Sequence, residues 1–499
     1  MVKKVFIKIP ITVAQLGNGS FYVLIKILKC RIINAILYKC NIILHGERTM
    51  KIKDTAFYKA FFVMTLTMAA QNLIVFGVNL ADSVMMGAYS ETALSGVGIC
   101  NNIQFFLNMA ASGISSGMTV IASQYWGQKE TKPIHKVSAV AIWLGIIFTG
   151  LIFAFAAFAP ETLIRLFTDK DAVIEQAVLY LDIIKYTYLM FTLSTIILSI
   201  LRSVETVKIG FYVSLSSFAA NIFLNYALIY GKFGMPEMGI RGAAVATLIS
   251  RAIELAVVVI YILFADKKLK MRFSDFFVTD KQMIKDYFKT GLPLMMSSVS
   301  WGIAMSIQGA IIGRLVESAI AANSIATTIF QVATVICYAS SNVACVLIGK
   351  TIGENKSMEI IKKRSKNLQL IFVAIGVVSS GILLLTRNLI IDFYNASPET
   401  IGITNQFIWV LAVTIIGTAY EAPALCGIVS GGGETSFVLK NDIIFMWLIV
   451  LPLSALSAFV FKFPVVVTFA CLKADQVLKC AVALVKVNRF NWIKSVTRE

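Results

Sequence analysis

Residues 137–159 read VSAVAIWLGIIFTGLIFAFAAFA, a run of 23 positions without a charged side chain. A helix of that length is about 35 Å long, which is enough to cross the roughly 30 Å hydrocarbon core of a bilayer. Because backbone polar groups in lipid must be satisfied within the segment, such a run can span a membrane only as a helix. The stretch therefore predicts a transmembrane α-helix.

Comparable apolar windows recur on both sides of this run. In lipid each of them must be helical for the same reason. The sequence therefore predicts an all-α polytopic membrane protein with about twelve transmembrane helices. The other windows are 57–80, 92–122, 174–200, 207–230, 240–264, 288–312, 319–348, 368–386, 403–428, 440–461 and 464–485.

The composition excludes most other classes of protein. Hydrophobic residues make up 58% of the chain and charged residues 14%, whereas soluble domains carry about a quarter charged residues. The net charge of +18 lies in loops between apolar runs, so nucleic-acid binding is not expected. The two histidines have no metal-site spacing, and the eight cysteines are scattered without a C-x-x-C pair. We expect no cofactor and no disulfide framework.

Lysine and arginine are concentrated in the loops that follow the second, sixth and eighth windows. Cytoplasmic loops carry such an excess of basic residues, so both termini are predicted to be cytoplasmic, in the inner (plasma) membrane of a bacterium. Residues 1–49 are too interrupted by basic residues for a span; Met50 is the preferred start, with a basic surface-lying helix as the alternative. The basic loop residues are Lys129, Lys132, Lys136, Lys267, Lys268, Lys270, Arg272, Lys281, Lys285, Lys289, Lys350, Lys356, Lys362, Lys363, Arg364 and Lys366.

The chain contains an internal repeat at an offset of 226 residues. This offset aligns Gly127 with Gly353 and Lys136 with Lys362, so matching loops face the same side. The two halves therefore form a parallel six-plus-six repeat that can enclose a cavity and rock for alternating access. The predicted parts are an extension at 1–50, a first six-helix bundle at 51–265, a connector at 266–290, a second bundle at 291–485 and a cytoplasmic tail at 486–499.

Several short stretches, in their order and spacing, resemble the multidrug and toxic compound extrusion (MATE) family. The resemblance implies two six-helix bundles and export of organic compounds driven by inward flow of H⁺ or Na⁺. This chain departs from the family at Thr67, where a proline is common, at Trp301, near which some members have glutamate, and at Asn225, which is aspartate in some relatives. The stretches are NLADSVMMG at 79–87, GQ at 127–128, NIFLN at 221–225, GIRGAA at 239–244, GLP at 291–293 and GGGET at 431–435.

Asp82 is the strongest candidate for ion coupling, because a carboxylate inside a span is costly and is a functional hypothesis by default. Gln71 and Asn79 share its helix face; the alternative is that Asp82 only caps the wet end of the helix. Asn221 and Asn225 share one face of the fifth window and, with Asp82 and Thr247, could bind H⁺ or Na⁺. The alternative for the two asparagines is interhelix hydrogen bonding.

The repeat places Gln308 at the position of Asp82, which predicts a carboxylate-based cation site in the first half alone. Arg251 and Glu254 are three residues apart, as an ion pair would be. The remaining candidates for a substrate cavity are Gln71, Asn79, Glu254, Trp301, Gln308, Tyr420 and Glu421.

These patterns favour a secondary antiporter that exports organic, often cationic compounds and acts as a monomer in the bilayer. No G-x-x-x-x-G-K-[ST] phosphate loop is present, which argues against an ATP-driven pump. A flippase for lipid-linked sugars with the same two-bundle plan remains an alternative. A membrane enzyme is the other alternative, although an enzyme is not expected.

Overall fold

The computed structural model describes residues 54–393 and 397–498, and these residues are nearly all helical. No β-strand occurs in the described ranges. The all-α prediction is therefore confirmed. The predicted extension at residues 1–49 lies outside the described residues.

Sixteen α-helices follow one another along the described chain. They are α1 Thr55–Tyr89, α2 Glu91–Gln128, α3 Lys132–Phe158, α4 Pro160–Arg165, α5 Asp171–Ile184, α6 Thr187–Ser203, α7 Lys208–Ile229, α8 Gly239–Ile260, α9 Lys281–Gly313, α10 Glu317–Gly353, α11 Met358–Phe393, α12 Pro398–Ala422, α13 Thr435–Asp442, α14 Leu451–Ala455, α15 Val465–Leu472 and α16 Asp475–Arg489. Wider π-helical turns extend or connect some of them: Tyr261–Ala265, Pro423–Val429, Ile443–Val450 and Leu456–Val460.

Ten helical stretches in the described part of the chain are long and apolar enough to cross a membrane. The pair α5 and α6, bent by 53°, is an eleventh when it is taken as one span. The stretch that corresponds to the twelfth predicted span is interrupted after Leu472 and carries several charged residues, including Asp475 and Lys479. The count of twelve is therefore not reached by length and apolarity.

The helix boundaries repeat at the offset that the sequence predicts. The starts of α1 and α9, of α2 and α10, and of α3 and α11 each differ by 226 residues. The start of α15 also follows that of α8 by 226 residues. Because equivalent helices follow in the same order, the second half repeats the plan of the first.

Polar caps place several of the helix ends. The Ser90 hydroxyl accepts a hydrogen bond from the Ala93 N–H at the start of α2, at 3.3 Å. The Asp280 carboxylate accepts one from the Met283 N–H at the start of α9, at 2.6 Å. Such caps satisfy backbone donors that a helix leaves free. Polar loop residues therefore set where these spans begin.

The two halves meet along α2, which packs against α9 and α10. Glycines make this contact close: a Cβ atom on Gly127 would lie 2.8 Å from the Gly353 Cα. The loops rich in lysine and arginine gather at this end, where Lys136 donates to Asp280 at 2.7 Å. We call this end of the molecule the basic face; it carries residues 129–131, 266–280, 354–357 and 490–498.

Candidate functional site

Asp82, Asn221, Asn225 and Thr247 come together from three helices, α1, α7 and α8. The Asn225 amide donates to the Asp82 carboxylate and, at 3.0 Å, to the Asn221 side-chain oxygen. The Asn221 amide in turn approaches the Thr247 hydroxyl at 3.5 Å. The i, i+4 spacing on α7 puts the two asparagines on one face. A continuous polar chain therefore links Asp82 to Thr247.

The side-chain oxygen of Asn225 has no hydrogen-bond partner among the described residues. Asn225 is fully buried, and its side-chain oxygen accepts no hydrogen bond from any described residue. A buried acceptor without a donor costs free energy, and such groups are rare. The carboxylate of Asp82 also makes no ion pair within the described residues. Each group therefore has an oxygen that can accept a further hydrogen bond or bind a cation.

Asp82, Asn221 and Thr247 line a cavity that has about 70 Å³ of space for solvent, whereas Asn225 lies behind this wall and reaches it through its hydrogen bonds to Asp82 and Asn221. Pockets for drug-sized ligands are roughly 300–1,000 Å³, so the cavity in this conformation suits a small cation with water. Its wall is mostly polar. The polar lining residues are Asn79, Asp82, Asn101, Gln104, Tyr180, Thr187, Tyr188, Ser214, Ser217, Asn221, Thr247, Ser250, Arg251 and Glu254.

Arg251 and Glu254 form a closed ion pair in the wall of this cavity. Arg251 donates to the Glu254 carboxylate at 2.7 Å, and its guanidinium lies 5.1 Å from the centre of the Phe191 ring. The charges of Arg251 and Glu254 cancel each other. When Asp82 is ionised, the cavity therefore carries one net negative charge.

The other predicted cavity residues are divided between the two halves. Asn79 and Glu254 line the Asp82 cavity, whereas Gln71 lies beside α7, where a Cβ atom on Gly210 would come within 2.6 Å of its side-chain oxygen. Trp301 on α9 approaches the Phe105 ring at 6.4 Å between centroids. Gln308 and Tyr420 are in the second half, where they donate to the Met446 sulfur at 3.3 Å and to the Gln369 oxygen at 2.8 Å, respectively.

A second buried cluster of charges, in the second half, was missed by the sequence analysis. Lys479 is only 3% exposed and lies 2.8 Å from Asp442 and 3.5 Å from Asp475. Ser297 donates to the other oxygen of Asp442. The cluster joins α9, α13 and α16, and Glu421 is close enough to interact electrostatically with Lys479.

A signal for this cluster was present in the sequence. Asp442 lies in the predicted window 440–461, and Asp475 and Lys479 lie four residues apart in the window 464–485. A charged residue inside a span is a functional candidate by default, and this applies to Asp442, Asp475 and Lys479 as much as to Asp82. The second half therefore holds carboxylates too, but here they are paired with a lysine.

Comparison with known proteins gives a consistent result. The family model MatE matches residues 67–227 and 293–456, once in each half. The curated relatives include an uncharacterized transporter, YisQ, of Bacillus subtilis, which is 26% identical over 75% of this chain and 82% of its own length. A probable multidrug resistance protein NorM of Thermotoga maritima is 24% identical over 88% of this chain and 95% of its own length.

Solved structures share the fold. A crystal structure of MATE in complex with MaL6 superposes with a TM-score of 0.77 at 19% identity, covering 86% of this chain and 95% of the other. A transporter of the MOP superfamily from Pyrococcus furiosus gives the same TM-score and identity over 89% of this chain and 98% of its own. The two-bundle architecture is therefore the fold of this chain.

Proposed function

Because this chain belongs to the MatE family of membrane transporters, we propose that it is a secondary antiporter that exports organic, often cationic and amphipathic compounds in exchange for H⁺ or Na⁺. The multidrug resistance named for the relative from Thermotoga maritima supports the class of substrate. The basic face is cytoplasmic in this proposal, because short cytoplasmic loops are rich in lysine and arginine. In this orientation the protein lies in the inner membrane and both termini are on its cytoplasmic side.

The observation that carries the proposal is the Asp82 carboxylate, which makes no ion pair within the described residues, beside Asn225, whose side-chain oxygen has no hydrogen-bond donor among them. A carboxylate at membrane depth is costly unless a proton or a cation neutralises it. Oxygen atoms from carboxylates, amides and hydroxyls are the ligands of hard cations. The set formed by Asp82, Asn221, Asn225 and Thr247 therefore fits either coupling ion.

Exchange follows from competition for one negative charge. With the ion bound, Asp82 is neutral and the cavity attracts organic cations weakly. When the ion leaves towards the cytoplasm, the ionised carboxylate favours entry of a cationic substrate from that side. Rocking of the two halves then exposes the cavity to the other side, where ion binding displaces the substrate.

The test is efflux of a fluorescent organic cation from proteoliposomes that contain the full chain. A pH gradient and a Na⁺ gradient are imposed separately. We expect one gradient to drive efflux and Asp82→Asn to abolish it. Asn225→Leu removes both the amide donor and the side-chain oxygen. It is expected to weaken the apparent affinity for the coupling ion roughly tenfold or more, because hydrogen bonds to charged groups contribute about 1.5–3 kcal/mol.

Asp169→Asn is the matched control, since Asp169 is exposed in the loop between α4 and α5. It removes the same charge without touching the cavity and is expected to transport like the unchanged protein. Failure of both gradients to drive any organic cation would refute the multidrug assignment and direct attention to anionic or lipid-linked substrates.

A further inference from the structure

The last residues that the structure describes, 490–498, lie across the boundary between the two halves at the basic face. Helix α16 ends at Arg489, and Phe490 has a positive φ of 55°, which turns the chain out of the helix. We call residues 490–498 the strap. Its contacts on the two halves differ in kind.

The strap is anchored in the second half by a buried aromatic side chain. Trp492 is 0% exposed, donates to the Val487 carbonyl at 2.8 Å, and packs so closely on Gly432 that any side chain there would collide with its ring. The Lys494 N–H donates to the Gly432 carbonyl at 2.8 Å, and the Lys494 ammonium pairs with Glu434. The glycines at 431–433 therefore leave the space in which the strap packs against the second half.

On the first half the strap is held mainly by hydrogen bonds to α2. Gln124 is fully buried and bonds the strap backbone twice, donating to the Lys494 carbonyl at 3.2 Å and accepting from the Val496 N–H at 2.9 Å. Gln128 donates to the Thr497 hydroxyl at 2.8 Å. Partly buried Val496 adds an apolar contact to the core of the first half.

The position of these bonds is significant because α2 is the helix along which the halves meet. The strap bonds lie beside the close contact of Gly127 with Gly353. Any movement that opens the basic face must separate α2 from α10. It must therefore break the bonds to Gln124 and Gln128, while the anchor at Trp492 can persist.

We propose that the strap is a latch that holds the basic face closed, and that it leaves α2 but stays on the second half each time that face opens. The proposal rests on the alternating access of the proposed function. Neutral hydrogen bonds are weak enough to break in every cycle, and together they would shift the population of the open form by roughly tenfold to a hundredfold.

The first experiment measures opening without any substrate. A thiol reagent is added to the basic side of the full chain carrying Ser123→Cys, a buried position on α2 beside Gly349, and labelling at residue 123 is quantified by peptide mass spectrometry. Ending the chain at Ile493, which keeps Trp492, should speed labelling about tenfold or more. Gln128→Leu, which keeps the whole chain, should speed it by a smaller factor.

Unchanged labelling in both variants would overturn the latch. Faster labelling without export of any organic cation would leave the latch standing and refute the proposed function. The two ideas can therefore fail separately.

The second experiment compares two reversible cross-links. A short, reducible reagent joins Gln128→Cys to Thr497→Cys, which ties the strap to α2, or Glu434→Cys to Lys494→Cys, which ties it to the second half. The first link should stop transport and block labelling at residue 123 until it is reduced; the second should leave both unchanged. Full transport with the first link, or arrest by both, would overturn the proposal.

Discussion

At the scale of single residues, Asp82 and Asp442 show how the surroundings decide what a partly buried carboxylate can do. Asp82 accepts from a neutral amide and has no ion pair among the described residues. Asp442 accepts from Ser297 and pairs with Lys479 at 2.8 Å. A carboxylate that already has a lysine partner gains little from a transported cation. We therefore expect Asp442 to act in structure and Asp82 to act in the proposed ion coupling.

A prediction follows for Lys479, the only cation placed between Asp442 and Asp475 in the described cluster. Lys479→Met leaves Asp442 and Asp475 without the cation that they share, and breaking a buried ion pair in this way costs about 3–5 kcal/mol. Asp442→Asn should cost less, because Lys479 keeps Asp475 at 3.5 Å. The loss of stability in each variant is measured as the fall in its thermal unfolding midpoint in detergent.

The double variant Asp442→Asn with Lys479→Met should be more stable than Lys479→Met alone, because one of the unpaired carboxylates is removed. Lys440→Met, at an exposed position on α13, is the control and should unfold like the unchanged protein. Equal losses from Lys479→Met and Lys440→Met would show that the buried pairs contribute nothing.

At the scale of helices, the start of α9 combines a cap and an ion pair on one side chain. The hydrogen bond from Lys136, followed by that from the Met283 N–H, holds the pKa of Asp280 below its ordinary value of 3.8. Asp280 ties the start of α9 in the second half to α3 in the first half. Its side chain is 44% exposed, so solvent screens the pair.

Two substitutions separate these contributions. Asp280→Asn keeps a good cap and loses the charge, which should cost less than about 1 kcal/mol at neutral pH. Asp280→Ala loses the cap as well, at about 1 kcal/mol more. Hydrogen exchange of the first turn of α9 should therefore accelerate slightly in the first variant and clearly in the second.

The effect of the charge depends on pH in a defined direction. A carboxyl group whose pKa is lowered by folding stabilises the fold above its unfolded pKa, and this contribution disappears as the pH falls through the folded value. The difference between the unchanged protein and Asp280→Asn should be constant at neutral pH, start to shrink near pH 3.8 and vanish only below the lowered pKa of the folded state. A difference that grows on acidification would contradict the assignment.

At the scale of the whole molecule, the sequence predicted the helices well, because length and hydropathy decide whether a segment can span lipid. The run at 137–159 became α3, Lys132–Phe158, and the 226-residue repeat is reproduced in the helix starts. Asp82 and the asparagines were found because intramembrane polar residues are few. Hydropathy gave no indication of the partners of Lys479 or of the bonds from Gln124 to the strap, since these join residues far apart in the chain.

The halves are also joined by an ion pair at the basic face, between Lys350 on α10 and Glu205 in the loop after α6. The Lys350 ammonium lies 2.9 Å from both carboxylate oxygens of Glu205, and Lys268 is near enough to interact with both residues. The side chains are 29% and 22% exposed, so the pair is only partly screened. We expect this ion pair, like the strap, to hold the basic face closed.

Charge reversal tests this expectation. Glu205→Lys places three ammonium groups together, and like charges about 4 Å apart repel by up to roughly 4 kcal/mol at an effective dielectric constant of 20. Lys350→Glu sets two carboxylates against each other beside Glu354, which lies 3.9 Å from Lys350. Each single variant should therefore open the basic face and speed thiol labelling at Ser123→Cys from that side.

The double reversal restores the pair but leaves the new Lys beside Lys268 and the new Glu beside Glu354, so labelling should slow only part of the way back. Identical labelling in the single and double variants would mean that the pair does not couple the halves and that packing of α2 on α10 closes this face without it.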